Sequence, residues 1–448
     1  MDATDASPRI ESEMSQHQRG LVDHCLEEGQ YESAIDILAQ LRSLHHKPSA
    51  AHVRQLLFMA LYDGRSEKAH VDLSLSPSKK QKKSHLLPSS AATHSAQQLL
   101  ASFATTNSPA AVIRTLRPSE ADPDDDNECF VATESLCITR CRNCWEILVE
   151  GFLDPHQMLS STPKGKGKQR EADLTDLSFS ERAPVGEIAW PVLDWLLIIF
   201  ERDEQENTLL PRHSPLLLEQ LGSSARRETN APLNIVMHCL QQSDRRRRLM
   251  GSRLMNLLIN LSATTHLDFP MLVVSLFSRL SASSLEDISS LMSNLSPTPA
   301  VFKFKVALYQ KYFSDSNDVA KVGVRPRPQA RAQPKGSPAK PRDLAQPVSL
   351  VNKSRAPSSA EILRLMEAKT FSSVNTAASP LRMKFELLVS YNAFQTDAPP
   401  ADRDPEWPNL LRNGAMARTL DAAFGCKGAA AEEGESYRVL LDAILNVY

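Results

Sequence analysis

Apolar residues recur at helical spacing through most of this chain, and nowhere does a period of two persist. Residues 13–63 predict three helices. The first runs to Glu28 and stops at Gly29. The second, Tyr31 to Leu41, places Ala34, Ile35, Leu38 and Leu41 on one face. Pro48 separates it from a third that carries Val53, Leu56, Leu57, Met59, Ala60 and Leu61. Helical patterning returns at 95–116, where Ser108-Pro109 reads as an N-cap followed by a first-turn proline. Phe130 to Leu153 is a longer apolar stretch around Trp145.

Residues 187–316 are the densest part. Ile188–Arg202 has apolar residues on most sides, and shorter amphipathic helices are expected at 234–240, 249–261, 271–280, 285–295 and 301–313. In 249–261 the stripe is Met250, Leu254, Leu257, Leu258 and Leu261. Further helices are expected at 358–371, 380–395 and 437–448. The pattern predicts an all-α fold: helical hairpins packed as a bundle or an irregular α-solenoid, interrupted by disordered linkers.

Polar stretches divide the chain. The expected order is a helical segment at 1–66, a polar and basic linker at 67–94, and a helical segment at 95–155. A basic linker at 156–185 and a central helical core at 186–316 follow. Last come a proline-rich basic linker at 317–357 and a C-terminal helical segment at 358–448. The helical segments are expected to dock on one another, because each alone buries little surface.

The stretch Leu26–Pro48 resembles a tetratricopeptide repeat over about 10% of the chain. Gly29, Tyr31, Ala34 and, more loosely, Pro48 stand where that family places its turn glycine, wedge aromatic, small helix-contact residue and closing proline. The resemblance implies a helical hairpin that needs neighbours to stack on, and it carries no binding residues with it.

Composition narrows the picture. Of 448 residues only 15 are glycine while 29 are proline, which suits helices joined by stiff connectors better than phosphate loops or tight β-turns. Lys+Arg number 51 against 53 Asp+Glu, a formal charge of −2, so any contact with nucleic acid must come from local patches. The first residues are polar and acidic, and the longest apolar run is Trp195–Phe200; neither a secretory signal nor a membrane span is expected. The seven cysteines are therefore expected to be reduced, in cytosol or nucleus.

The sharpest chemical candidate is Cys137, Cys141 and Cys144. Their spacing resembles the cluster-binding motif of radical S-adenosylmethionine enzymes, yet Asn143 stands where that family usually has an aromatic, and no glycine-rich cofactor segment is visible. A zinc site with Cys129 is a second reading. The favoured one is three small apolar thiols on one face of a helix, with no metal and no cofactor. The acidic run Asp122–Asn127 begins like a calcium loop but lacks its glycine and closing glutamate, having Asn127 and Thr133 there. His238-Cys239 reads as core, and no nucleotide-binding, serine-hydrolase or zinc-protease motif is present.

Basic segments carry the functional expectation. Lys79, Lys80, Lys82 and Lys83 read as a nuclear import signal. Lys164, Lys166, Lys168 and Arg170 form a second run; Arg325, Arg327, Arg331, Lys335, Lys340 and Arg342 form a third. Arg245, Arg246, Arg247 and Arg248 open a predicted helix after Ser243-Asp244, where four cations meet the positive end of the helix dipole. An external phosphate or acidic partner would relieve them; so would surface carboxylates of the chain itself. Arg245–Arg248 with Arg325, Arg327 and Arg331 are the candidate contacts to nucleic acid or an acidic partner.

The expected function is a non-enzymatic nuclear scaffold or adaptor of a chromatin-associated assembly, in transcription initiation or genome maintenance. It would bind protein subunits by helical faces, with auxiliary DNA or RNA contact, no membrane and no small-molecule substrate. A cytoplasmic scaffold in trafficking or RNA metabolism, and a metal-cluster enzyme using the three cysteines, are the alternatives.

Overall fold

The computed structural model describes residues 11–63, 87–116, 129–153, 182–208, 210–222, 229–281, 283, 285–319, 357–367, 380–425 and 431–445. Among these the fold is all-α: eighteen helices and one pair of two-residue strands. The chain divides into two compact units, Met1–Asp268 and Phe269–Tyr448.

The first unit opens with strand β1 (Ser12–Glu13), whose parallel partner β2 (His46–Lys47) stands where only a loop was expected. Helix α1 (Gln16–Glu27) starts at a reciprocal cap. The Ser15 hydroxyl accepts from the Gln18 amide and the Ser15 amide donates to Gln18 Oε1 at 3.0 Å. Gly29, at φ +71°, makes the turn into α2 (Tyr31–Leu41), a conformation that disfavours any residue with a Cβ. Val22 and Leu26 of α1 and Tyr31, Ala34, Ile35 and Leu38 of α2 are buried, so the hairpin forms where the apolar pattern places it.

Helix α3 (Ala50–Leu61) is the centre of this unit, with every residue from His52 to Leu61 buried. It is covered by α4 (Ser90–Thr106) and α6 (Phe130–Thr139), with the short helix α5 (Pro109–Ile113) between them in sequence. Helix α4 begins inside the stretch read as linker, capped by the Ser89 hydroxyl at 2.9 Å from the Ala92 amide. Ser108 is the N-cap of α5 and Pro109 its first-turn proline, as expected, but the Ser108 side chain does not cap. It donates to Glu11 instead, and Glu11 also takes the Ser108 amide at 2.8 Å, placing a carboxylate at the helix start. Glu13, doubly bonded by Arg114 at 2.6 and 2.9 Å, is drawn down to a pKa of about 2 by that hydrogen bond.

Helix α7 (Trp190–Glu206) is the long apolar helix expected over 188–202. It packs on α4 and on α10 (Arg245–Ser262), with α8 (Pro215–Glu219) and α9 (Asn230–Leu240) intervening in sequence. Arg202 binds the carbonyls of Ala104 and, at 2.7 Å, Asn107, so a cation from α7 closes the carboxyl end of α4. Asn107 is fully buried and its amide donates to the carbonyls of Ser43 and His46 at 3.0 and 2.8 Å. The described residues of the first unit thus share one core.

The second unit contains α11 (Phe269–Leu280), α12 (Leu285–Ser293), α13 (Pro299–Val319), α14 (Ser359–Glu367), α15 (Pro380–Asp397), α16 (Trp407–Arg412), α17 (Ala415–Phe424) and α18 (Ala431–Leu445). Helices α16 and α17 were not expected from the pattern. The pair α13–α15 is its axis; α11 lies on α13, and α18 lies on α15 and α17. A satisfied polar group sits in the core. Trp407 Nε1 donates to Asn392 Oδ1 at 3.1 Å, and the Tyr391 hydroxyl donates to Asp404 at 3.3 Å. Asp404 also accepts the Ser359 amide at 2.6 Å. Gly434 allows the chain to pass close to the end of α17, where an added Cβ would lie 2.4 Å from the Phe424 carbonyl oxygen.

In the first unit the α9–α10 contact is equally tight. A Cβ on Gly251 would lie 2.8 Å from Cys239 Cβ and 3.2 Å from the Val236 carbonyl oxygen, neither of which is the free end of a long side chain. Gly251→Ala is therefore expected to destabilise the first unit by about 1–3 kcal/mol, measured by chemical denaturation, despite the gain in helix propensity that alanine brings.

Candidate acidic-partner or nucleic-acid interface

Of the predicted contact residues, Arg245–Arg248 lie within the described structure; Lys79, Lys80, Lys82, Lys83, Arg325, Arg327 and Arg331 lie outside the described residues, as does the run from Lys164 to Arg170. Asp244 is the N-cap of α10, and its Oδ1 accepts the Arg246 amide at 2.9 Å. From there the four side chains diverge.

Arg246 reaches Asp194 of α7 at 2.9 Å while remaining 77% exposed. Arg247 binds Glu187 through two nitrogens at 2.9 and 2.7 Å and lies 4.7 Å over the Trp190 ring, which in turn stacks on His238 at 5.6 Å and 13°. The hydrogen bond from Arg247 lowers the Glu187 carboxyl, and burial lowers His238. Arg248 donates to the carbonyls of Gln242 and Ser243, both at 3.0 Å. Arg245 is exposed. Among the described residues, neither Arg245 nor Arg248 has a carboxylate partner.

The cluster continues along α10. Arg253 donates through Nε and Nη2 to Glu201, both at 2.7 Å, and through Nη1 to Asp194 at 2.5 Å. Burial works against its charge, and the bonds to Glu201 and Asp194 more than offset that, so the guanidinium is held charged. Asn260 then donates to Glu204 at 2.8 Å. Arg246, Arg253 and Asn260 are spaced by seven on α10, and they meet Asp194, Glu201 and Glu204 in the same chain order on α7. The two helices therefore run parallel along a polar seam.

This arrangement assigns most of the arginine cluster to the fold. Carboxylates of the chain itself take the place of an external anion at Arg246 and Arg247. What remains open to an outside anion is Arg245, Arg248 and the outer edge of Arg246. Arg253, Asp194, Glu201, Glu187 and Trp190 were missed by sequence reasoning. The signal was present: Asp194 breaks the apolar run of α7 and Glu201 follows that run at a spacing of seven, matched by Arg246 and Arg253 on another helix.

The cysteines do not share one helix face, which corrects that expectation. Helix α6 stops at Thr139, where the Arg140 amide folds back to the carbonyls of Cys137 and Ile138. Cys137 lies on the helix, Cys141 just beyond it with its thiol 3.6 Å from the Cys137 carbonyl, and Cys144 is wholly buried, its amide donating to Gln220 at 2.8 Å. Cys129 is the N-cap of the same helix. Among the described residues no group of three or more His, Cys, Asp or Glu is arranged to hold a metal ion, and no helix is long and apolar enough to cross a membrane.

Burial pushes the thiols of Cys137, Cys141 and Cys239 up to about 12, and that of Cys144 well above the ordinary value. At pH 8 a thiol with such a pKa is ionised in about one molecule in ten thousand. Iodoacetamide at pH 8 is therefore expected to label these four at least tenfold more slowly in the native chain than in denaturant, read by peptide mass spectrometry.

No family model, curated protein or solved structure matches this chain.

Proposed function

We propose that this chain is a non-enzymatic nuclear scaffold, which holds protein partners on its helical units and touches DNA or RNA through basic segments outside them. The observation that carries this reading is a segregation of charge. In the folded body three arginines of α10 face carboxylates of α7 and its approach: Arg246 with Asp194, Arg247 with Glu187, and Arg253 with Glu201 and Asp194. The runs Lys79–Lys83 and Arg325–Arg342, by contrast, contain no Asp or Glu at all. Positive charge with no acidic residue within its run is what phosphate backbones attract, through release of their counterions. Arg245 and Arg248 add a smaller patch of the same kind. Buried apolar helices joined by such segments suit a subunit of a chromatin-associated assembly, in transcription initiation or genome maintenance, better than a freely diffusing enzyme.

Two variants of the full chain test this. Replacing Lys79, Lys80, Lys82 and Lys83 by alanine is expected to move a fluorescently tagged chain from nucleus to cytoplasm; an unchanged, cytoplasmic distribution of both forms contradicts the nuclear reading. Replacing Arg325, Arg327 and Arg331 by alanine is expected to weaken duplex DNA binding and to flatten its dependence on log salt by up to about 0.9 per lost phosphate contact. Arg246→Ala with Arg247→Ala is expected to lower stability more than binding. Loss of binding only in that last variant contradicts the proposed division of charge.

A further inference from the structure

Among the described residues of the second unit, four large apolar side chains are exposed, and they fall on two helices only. Met271 and Val274 lie one turn apart on α11, and Val439 and Leu440 are neighbours on α18; each is between 45% and 56% exposed. Both pairs belong to longer open faces. Pro270 and Ser278 extend the first, and Ser436 and Ala443 extend the second. The exposed leucines of the first unit, Leu21, Leu44, Leu136 and Leu210, stand singly on separate segments, as isolated surface apolar residues commonly do.

The two faces have opposite charge. Helix α11 has no acidic residue, although Asp268 stands just before it, and its one charged side chain is Arg279. Two further cations border it from α13. The Lys303 ammonium lies 5.4 Å over the Phe269 ring and that of Lys311 5.8 Å over the Phe277 ring, both rings belonging to α11. Helix α18 carries Glu432, Glu433, Glu435 and Asp442 against the single cation Arg438. Arg438 donates to Glu435 at 2.9 and 2.8 Å and to Asp421 of α17 at 3.3 Å, so its charge is already engaged within the chain. Inside the unit α13 and α15 stand between these helices: α11 lies on α13, and α18 on α15.

We propose that these faces join two copies of the chain, the acidic face of α18 of one copy docking on the cationic face of α11 of the next. Contact of Met271 and Val274 with Val439 and Leu440 supplies the attraction, and the charges select which helix meets which. A second copy is the occupant because the chain itself holds both halves of the match. Each copy offers one face of each kind on separate helices, so the contact runs head to tail and can repeat. One helix against another buries less than a standard interface, so the association is weak, with a dissociation constant on the order of 10–100 µM. A scaffold joined in this way presents its other surfaces in several copies at once.

The test is analytical ultracentrifugation of the nuclease-treated full chain over about 1–200 µM, a range that brackets the expected constant, at low and high salt. The mass average is expected to rise with concentration at low salt and to rise less at high salt, where the charges are screened. Val274→Glu sets an acid against the acidic face, and Leu440→Lys sets a cation against the cationic one. Each variant alone is expected to associate at least tenfold more weakly. An equimolar mixture of the two is expected to form a dimer and stop there, because the intact α18 of the first docks on the intact α11 of the second. That recovery also shows that both variants are folded. A chain that stays monomeric throughout, a variant that associates as well as the unmutated chain, or a mixture that remains monomeric overturns the proposal.

Discussion

One guanidinium, that of Arg253, holds two carboxylates of the neighbouring helix, and the register in which α10 meets α7 follows from it. Asp194 breaks the buried face of α7 and Glu201 opens its charged end, with side chains 18% and 31% exposed. Left unpaired there, each would lose a partner that water only partly replaces. Arg253 reaches both because they lie two turns apart on one face. Arg246 and Asn260 extend the pairing one heptad in each direction, so α10 can meet α7 in one register and one direction only. Gly251, on the same helix, then lets α9 approach until backbone and side chain nearly touch. Apolar area drives these helices together, and the seam decides how they meet.

The same division of labour recurs in the chain. Apolar faces supply the attraction, while a few polar residues distant in sequence fix the arrangement. Arg202 closes the end of α4, Asn107 gathers the carbonyls of Ser43 and His46, and Glu11 caps α5 from nearly a hundred residues away. In the second unit Asp404 ties the start of α14 to Tyr391. None of these bonds is local, and each satisfies a group that burial would otherwise leave unpaired.

This explains what was legible in the sequence. Element type and most helix positions follow from periodicity, which is a local property: α2 occupies the residues predicted for it, and α7 and α10 fall where their stripes place them. The boundaries at Ser90 and Thr139 were not legible, because capping by Ser89 and the return of the Arg140 amide are decided by geometry rather than by hydrophobic pattern. Helix α16 was missed because six residues are too short to display a helical period, whereas α17 does carry a stripe, Met416, Leu420, Ala423 and Phe424, that went unread just after Asn413-Gly414. The strand pair escaped notice because two residues cannot display a period. For the arginine cluster, sequence supplied the four cations but not their counterions, which come from residues about fifty positions upstream. Only the matched spacing of seven on two helices hinted at them.

The central claim is that the arginine-rich helix start is chiefly a clamp within the fold, with Arg245 and Arg248 its outward remainder. A double-mutant cycle on Arg253→Met and Glu201→Gln, measured by denaturant unfolding, tests it most directly. The account predicts that each single change is destabilising and that the pair costs less than their sum, with a coupling of about 1–3 kcal/mol, since Arg253 and Glu201 are each about a third exposed and partly screened. Additive effects within about 0.5 kcal/mol, or a neutral Arg253→Met, would show that the seam does not hold the two helices and would return the whole cluster to the role of an outward-facing site.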